Sequence, residues 1–263
     1  MGDKQLFSKF KAAVNDLMEC CEPNVYEIPP IARSEVYNET WMLRLTLALL
    51  HDSELDFSKI EGGKKQIAIK SLRDSLQRNW ISEGGLAPVF KREGTTWADA
   101  ILGDVKRKQK TKRGIEAADT PVNPCVGIVV VEAKMGSLLS PGTDHYPDYN
   151  QAARNIACLA NLVKDNAQLV EKTVFVVLAP EEIIAESQKL ITDAPKVIGK
   201  IDKSEMRETR NLDDKFMDAV ERISKKSVAM SWEEVLLAIN CGKDDRPSLL
   251  TFYGKAKNVM LQR

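Results

Sequence analysis

Residues 129–136 read VVVEAKMG, and the fold is decided by this octet. Val129, Val130 and Val131 belong in a protein interior, yet the run ends in Glu132 and Lys134. Successive side chains of a strand alternate between faces, so both charged residues share one face and Ala133 takes the other. Ions at the end of a buried strand are costly unless they are paired or bind a metal. The tripeptide E-x-K occurs once in the chain, no more often than composition alone would produce it. Its weight comes from its setting at the end of the most apolar strand.

Outward from the octet, residues 126–133 are apolar on both faces, as expected of a central strand. The preceding segment TTWADAILG belongs to a second strand, 96–105, in which Asp99 interrupts Trp97, Ile101 and small residues. Residues 86–91 make a further strand. The long polar connection 106–125 makes the second and third strands a hairpin with a protruding tip, and antiparallel pairing then brings Asp99 beside Glu132. Two such carboxylates repel, so one stays protonated unless a divalent cation neutralises them. Asp104 is the rival to Asp99, but it lies on the opposite strand face at the entry to the turn. A structural ion-pair network at the sheet edge is the plain alternative for Asp99, Glu132 and Lys134.

Helical periodicity covers residues 4–21, 34–52 with Ser34 as N-cap, 63–81 closed by Gly84–Gly85, and 149–164 after Pro147. It returns at 181–192 and 207–226. TVFVVL at 173–178 is another buried strand, and a short strand near 227–231 leads into a helical stretch that ends near 240. Pro23, Pro29 and Pro30 mark residues 23–33 as extended linker, and 246–263 is weakly helical. The expected division is 1–33 as N-terminal helix and linker, 34–240 as one domain, and 241–263 as a C-terminal tail packed on it. The order of elements predicts an α/β fold, a mixed β-sheet flanked by helices on both faces, with extra N- and C-terminal helices.

Two helices carry polar groups where apolar ones are expected. Glu39 shares a stripe with Leu43, Leu47 and Leu50, which turns its carboxylate inward; a solvated helix position is the alternative. Gln151 and Asn155 lie in line with Cys158 and Leu162, and Ala152, Ala153, Ala157 and Ala160 allow that helix close to the sheet.

Composition removes several chemistries. Only His51 and His145 are present, which excludes a multi-histidine metal site and leaves a histidine triad poorly supplied. No G-x-S-x-G, G-x-G-x-x-G or G-x-x-x-x-G-K-[ST] occurs. The five cysteines form no C-x-x-C pair and read as reduced core residues. The N-terminus has no signal-peptide stretch and no apolar run spans a bilayer, so a soluble cytoplasmic protein with no membrane partner is expected. The 38 basic and 38 acidic residues cancel, which leaves local charge to identify a polyanion partner. KRKQKTKR at 106–113 supplies Lys106, Arg107, Lys108, Lys110, Lys112 and Arg113 at the hairpin tip, either to grip a phosphate backbone or as a solvated tip. Lys91, Arg92 and Arg154 are further contacts on the same reading. His145 and Tyr149 line the cleft or pack in the loop, and the four tryptophans read as core or rim residues.

With Glu39 on the first core helix, Asp99 in TTWADAILG, Glu132-Ala133-Lys134 and Gln151 in YNQAARN, the chain resembles the exonuclease-like branch of the PD-(D/E)xK nuclease superfamily over residues 34–178. Two positions depart from the pattern: Asn155 stands where this branch often has tyrosine, and Ala98 where a proline usually precedes the aspartate. The resemblance implies a restriction-endonuclease-like core. It also implies Mg²⁺, with Mn²⁺ as substitute, held by Asp99, Glu132 and the Ala133 carbonyl and supported by Glu39. Lys134 would stand beside the attacking water, and Gln151 would position substrate or water. The implied activity is metal-dependent hydrolysis of phosphodiester bonds, with DNA as substrate, of the kind used in restriction, phage defence or repair. The alternatives are a catalytically silent module of the same fold that binds nucleic acid or a protein partner, and a hydrolase of small phosphate esters. Residues 181–263 carry no motif and offer a specificity surface or the surface of a homo-oligomer.

Overall fold

The computed structural model describes residues 14, 15, 18, 36–108, 114–118, 124–207, 214–240 and 245–261. Most of the helix expected over 4–21, the whole linker and Ser34 lie outside them. Val14, Asn15 and Met18 are helical, and Val14 is buried in the core.

Helix α1, Glu39–Asp52, starts at Asn38, whose side chain accepts from the Trp41 amide and so satisfies its first turn. Helix α2, Gly63–Leu76, ends earlier than expected, and strand β1, Asn79–Leu86, follows directly. Here the expectation fails: Gly84 and Gly85 lie inside a strand, and no strand covers 87–91. A Cβ on Gly84 would sit 2.5 Å from Ile101 Cδ1, so this glycine marks close packing between neighbouring strands.

Strand β2, Thr96–Gly103, runs antiparallel to β1. Within the connection to the central strand lies a small ladder, β3 Val105–Arg107 against β4 Ile115–Ala117. Central strand β5, Ile128–Ala133, is buried at all six positions. Then come α3 Gln151–Val163, α4 Ala167–Lys172 and β6 Val174–Ala179. Helix α5, Ile184–Gly199, outlasts its predicted extent, with Pro195 inside it. The chain continues through α6 Asp214–Lys226, β7 Val228–Ser231, α7 Trp232–Ala238 and α8 Asp245–Leu261.

The central sheet has the order β1-β2-β5-β6-β7: β1, β2 and β5 pair antiparallel, whereas β5, β6 and β7 pair parallel. Val129, Val131 and Ala133 join one core layer with residues of α1, α2, α7 and α8. Ile128 and Val130 join the other, with residues of α3, α5 and α6. Each buried valine contributes about 1.5–3 kcal/mol. A one-residue slip of β5 would keep the valines buried but drive Glu132 into the opposite layer, so the carboxylate helps to fix the register. Helix α8 buries Leu249, Phe252, Tyr253 and Ala256 in the layer that holds α1. Among the described residues no helix is long and apolar enough to cross a membrane.

Candidate active site

Strand pairing brings the acidic residues together. The β2–β5 ladder ends with Ala100 opposite Val131. One residue further, Asp99 turns its carboxylate to the β5 backbone and accepts the Ala133 amide hydrogen at 2.7 Å. On the next step of β5, the Glu132 side chain is only 4% exposed. Its Oε1 accepts from Lys134 Nζ at 2.6 Å and from Gln151 Nε2. Its Oε2 is enclosed and meets no donor among the described residues. Glu39, at the start of α1, likewise has a buried Oε2 without a partner among the described residues.

This arrangement is strained electrostatically. Burial, then the charge of Asp99, lifts the Glu132 carboxyl from 4.5 to about 7, against the pull of Lys134 and Gln151. Burial also raises Asp99; the Ala133 amide and Lys134 oppose it, and Glu39 and Glu83 add to it. Two carboxylates therefore act on Asp99, from α1 and β1, and Asp99 in turn acts on Glu132 of β5.

Gln151 is positioned by one residue, Ser140. Its amide nitrogen donates to the Ser140 carbonyl at 3.0 Å, and its Oε1 accepts from the Ser140 amide at 3.0 Å. With Oε1 so occupied, Nε2 can only face Glu132. Asn150 caps α3 through the Ala153 amide at 3.1 Å, which sets Gln151 as the first helical residue. Asn155 bonds back to the Gln151 carbonyl at 3.0 Å and stays within the helix. Lys134 is held from both sides of its backbone, donating to the Leu178 carbonyl at 2.8 Å and accepting from Trp232 Nε1.

Asp104, the rival carboxylate, belongs to a different place. Its Oδ2 accepts from the Val126 amide at 2.9 Å and the Gly127 amide at 3.2 Å. It staples the far end of the β2–β5 pair, where Gly103 and Gly127 adopt φ of 104° and 85°.

Of the basic run, Lys106 lies 3.5 Å from Glu116 across the small ladder, Arg107 is exposed and Lys108 is half-buried. Lys110, Lys112 and Arg113 lie outside the described residues. Arg154 turns inward to the Ser140 hydroxyl at 2.7 Å. Trp232 is fully buried, whereas Trp80 and Trp97 are 41% and 46% exposed.

Three participants escape sequence reasoning. Glu83 has a φ of 52°, the one positive value at a non-glycine residue among the described residues. It sits between Ser82 and Gly84, the partners of Ala100 and Ala98, and is therefore level with Asp99; Arg44 is 4.0 Å away. Its two following glycines were the available signal of irregular backbone. Ser140 and Trp232 act at 11 and 98 residues from their partners, where no local pattern exists.

Asp99, Glu132 and the neighbouring backbone carbonyl of Ala133 are oxygen donors of the kind that a hard divalent cation takes, and Mg²⁺ binds through few protein ligands and keeps several waters. Among the described residues no three His, Cys, Asp or Glu side chains converge as a ready-made metal cage. Glu39 thus stands beside the pair without completing one.

Comparison of the chain with protein-family models, curated proteins and solved structures gives no match.

Proposed function

We propose that the chain is a Mg²⁺-dependent deoxyribonuclease that hydrolyses phosphodiester bonds, as its resemblance to the PD-(D/E)xK nucleases implies. One observation supports this most strongly. Glu132 is buried with Asp99 beside it, one of its oxygens held by Lys134 and Gln151 and the other left bare. A structural ion pair needs neither the second carboxylate nor the bare oxygen, and both raise the energy of an unliganded site.

Asp99, Glu132 and the Ala133 carbonyl would hold the cation, with Glu39 in support; Mn²⁺ would substitute. When bound, the cation neutralises phosphoryl oxygens and lowers the pKa of an attacking water. Lys134, fixed against Glu132, holds its ammonium where it orients that water and offsets negative charge in the transition state. Gln151, locked by Ser140, keeps the Glu132 carboxylate from rotating. Arg107 and its basic neighbours contribute salt-dependent attraction for the DNA backbone.

The test is incubation of the purified protein with linear, circular and single-stranded DNA and with RNA, in Mg²⁺, Mn²⁺ or EDTA. DNA cutting with either metal and none in EDTA is the expected result. Lys134→Ala should cut several orders of magnitude more slowly while it folds and binds as before. Normal cutting by that variant would sink the mechanism; binding without cutting by the parent protein would leave a nucleic-acid-binding module.

A further inference from the structure

A cavity of about 380 Å³ has a lining that includes Arg92, Tyr146, Asp148, Lys200, Asp202 and Glu205. Its walls come from three segments with well-defined ties. Lys91 N donates to the Glu205 carbonyl at 2.7 Å, Arg207 N donates to the Val89 carbonyl at 3.1 Å, and Phe90 and Met206 form a β-bridge. Thr143 and Tyr146 form another, and a Cβ on Gly142 would fall 2.0 Å from the Pro147 carbonyl oxygen, so this turn closes tightly. The buried carboxylate of Glu93 accepts the Val89 and Phe90 amides at 2.9 and 3.1 Å and secures the third segment.

The chemistry inside is specific. The Tyr146 ring packs on Phe90 and Tyr149, with centroids 5.8 and 6.1 Å away, and presents a fixed aromatic wall. Its hydroxyl donates to Glu205 Oε2 at 3.0 Å. Arg92 and Lys200 add exposed cations. An aromatic face, a fixed carboxylate and nearby cations together suit a flat base that offers N–H donors and carries a phosphate. Guanine matches best, since its N1–H and N2–H can both face one carboxylate. Tyr149, which also lines the cavity, precedes Gln151 by two residues, and Gln151 touches Glu132.

We propose that this cavity is a nucleobase pocket that takes one unstacked guanine of the substrate next to the cleaved phosphodiester. Its place in catalysis rests on the nuclease reading, but binding alone reads it out. Lys134→Ala protein in EDTA, which cuts nothing, is titrated calorimetrically with dGMP, dAMP, dCMP and TMP. dGMP should bind at least about tenfold tighter than TMP. Glu205→Gln, which keeps an acceptor for Tyr146, should remove that preference and leave TMP unchanged, with thermal unfolding reported alongside. Lys200→Ala, an exposed change, should weaken all four nucleotides alike. Equal binding of the four, no binding, or a preference that survives Glu205→Gln would overturn the pocket. Guanine-selective binding by a protein whose parent cuts no nucleic acid would uphold the pocket and sink the nuclease reading. Metal-dependent cutting without selective nucleotide binding would sink the pocket alone.

Discussion

The indole nitrogen of Trp232 donates to the carbonyl oxygen of Lys134 across 2.9 Å, joining α7 to the end of β5. Trp232→Phe removes the ring edge that carries the N–H, leaving a small cavity and an unpaired carbonyl. Loss of about 1–3 kcal/mol of stability is expected. Because Lys134 then loses one of its two backbone anchors, kcat should fall about tenfold with little change in KM. Denaturant unfolding and steady-state kinetics check the two effects separately.

Asp99 and Asp104 lie five residues apart and predict opposite phenotypes. Asp99→Asn keeps an acceptor for the Ala133 amide, so the fold should hold while cutting drops by about 10³-fold or more. Asp104→Ala leaves the Val126 and Gly127 amides unsatisfied and should cost about 1–3 kcal/mol with kcat unchanged. A variant pair that behaves the other way round would exchange their roles.

Glu132 makes the metal-free protein pH-sensitive. Its folded pKa, about 7, exceeds its ordinary 4.5, so the unfolded chain loses this proton first. The stability associated with the protonated form is therefore complete below about pH 4.5 and is lost as pH rises through about 7, on the order of 3 kcal/mol in all. In EDTA, wild type minus Glu132→Gln should show this decline between pH 5 and pH 8. A flat difference would mean that the carboxylate is relieved by some other group.

The ladder residue Arg107 is exposed. Arg107→Ala should reduce the slope of log affinity against log salt by about 1 and weaken DNA binding uniformly across sequences. An unchanged slope would take the ladder off the DNA path.

Alternation and burial are local properties, which is why VVVEAKMG could be read as a central strand bearing Glu132 and Lys134 at its end. The same logic set Asp99 beside it and Gln151 at the start of α3. What escaped was non-local or depended on backbone shape. Gly84 reads as a helix-closing residue until Ile101 is seen against it. Glu83 carries no sequence mark of its left-handed backbone beyond the two glycines that follow it. Asn38 caps α1, a role that the sequence pattern assigns to Ser34, which lies outside the described residues. Trp232 read as core or rim, and only the fold reveals that its nitrogen supports the strand end that carries Glu132 and Lys134.

The two oxygens of Glu132 have separate duties. Oε1 organises its neighbours permanently, and Oε2 waits. Arrival of an ion need not evict Lys134 or Gln151, so empty and loaded forms can share one architecture. Protein stripped by a chelator should regain full rate as fast as metal can be mixed back in, without a lag for refitting.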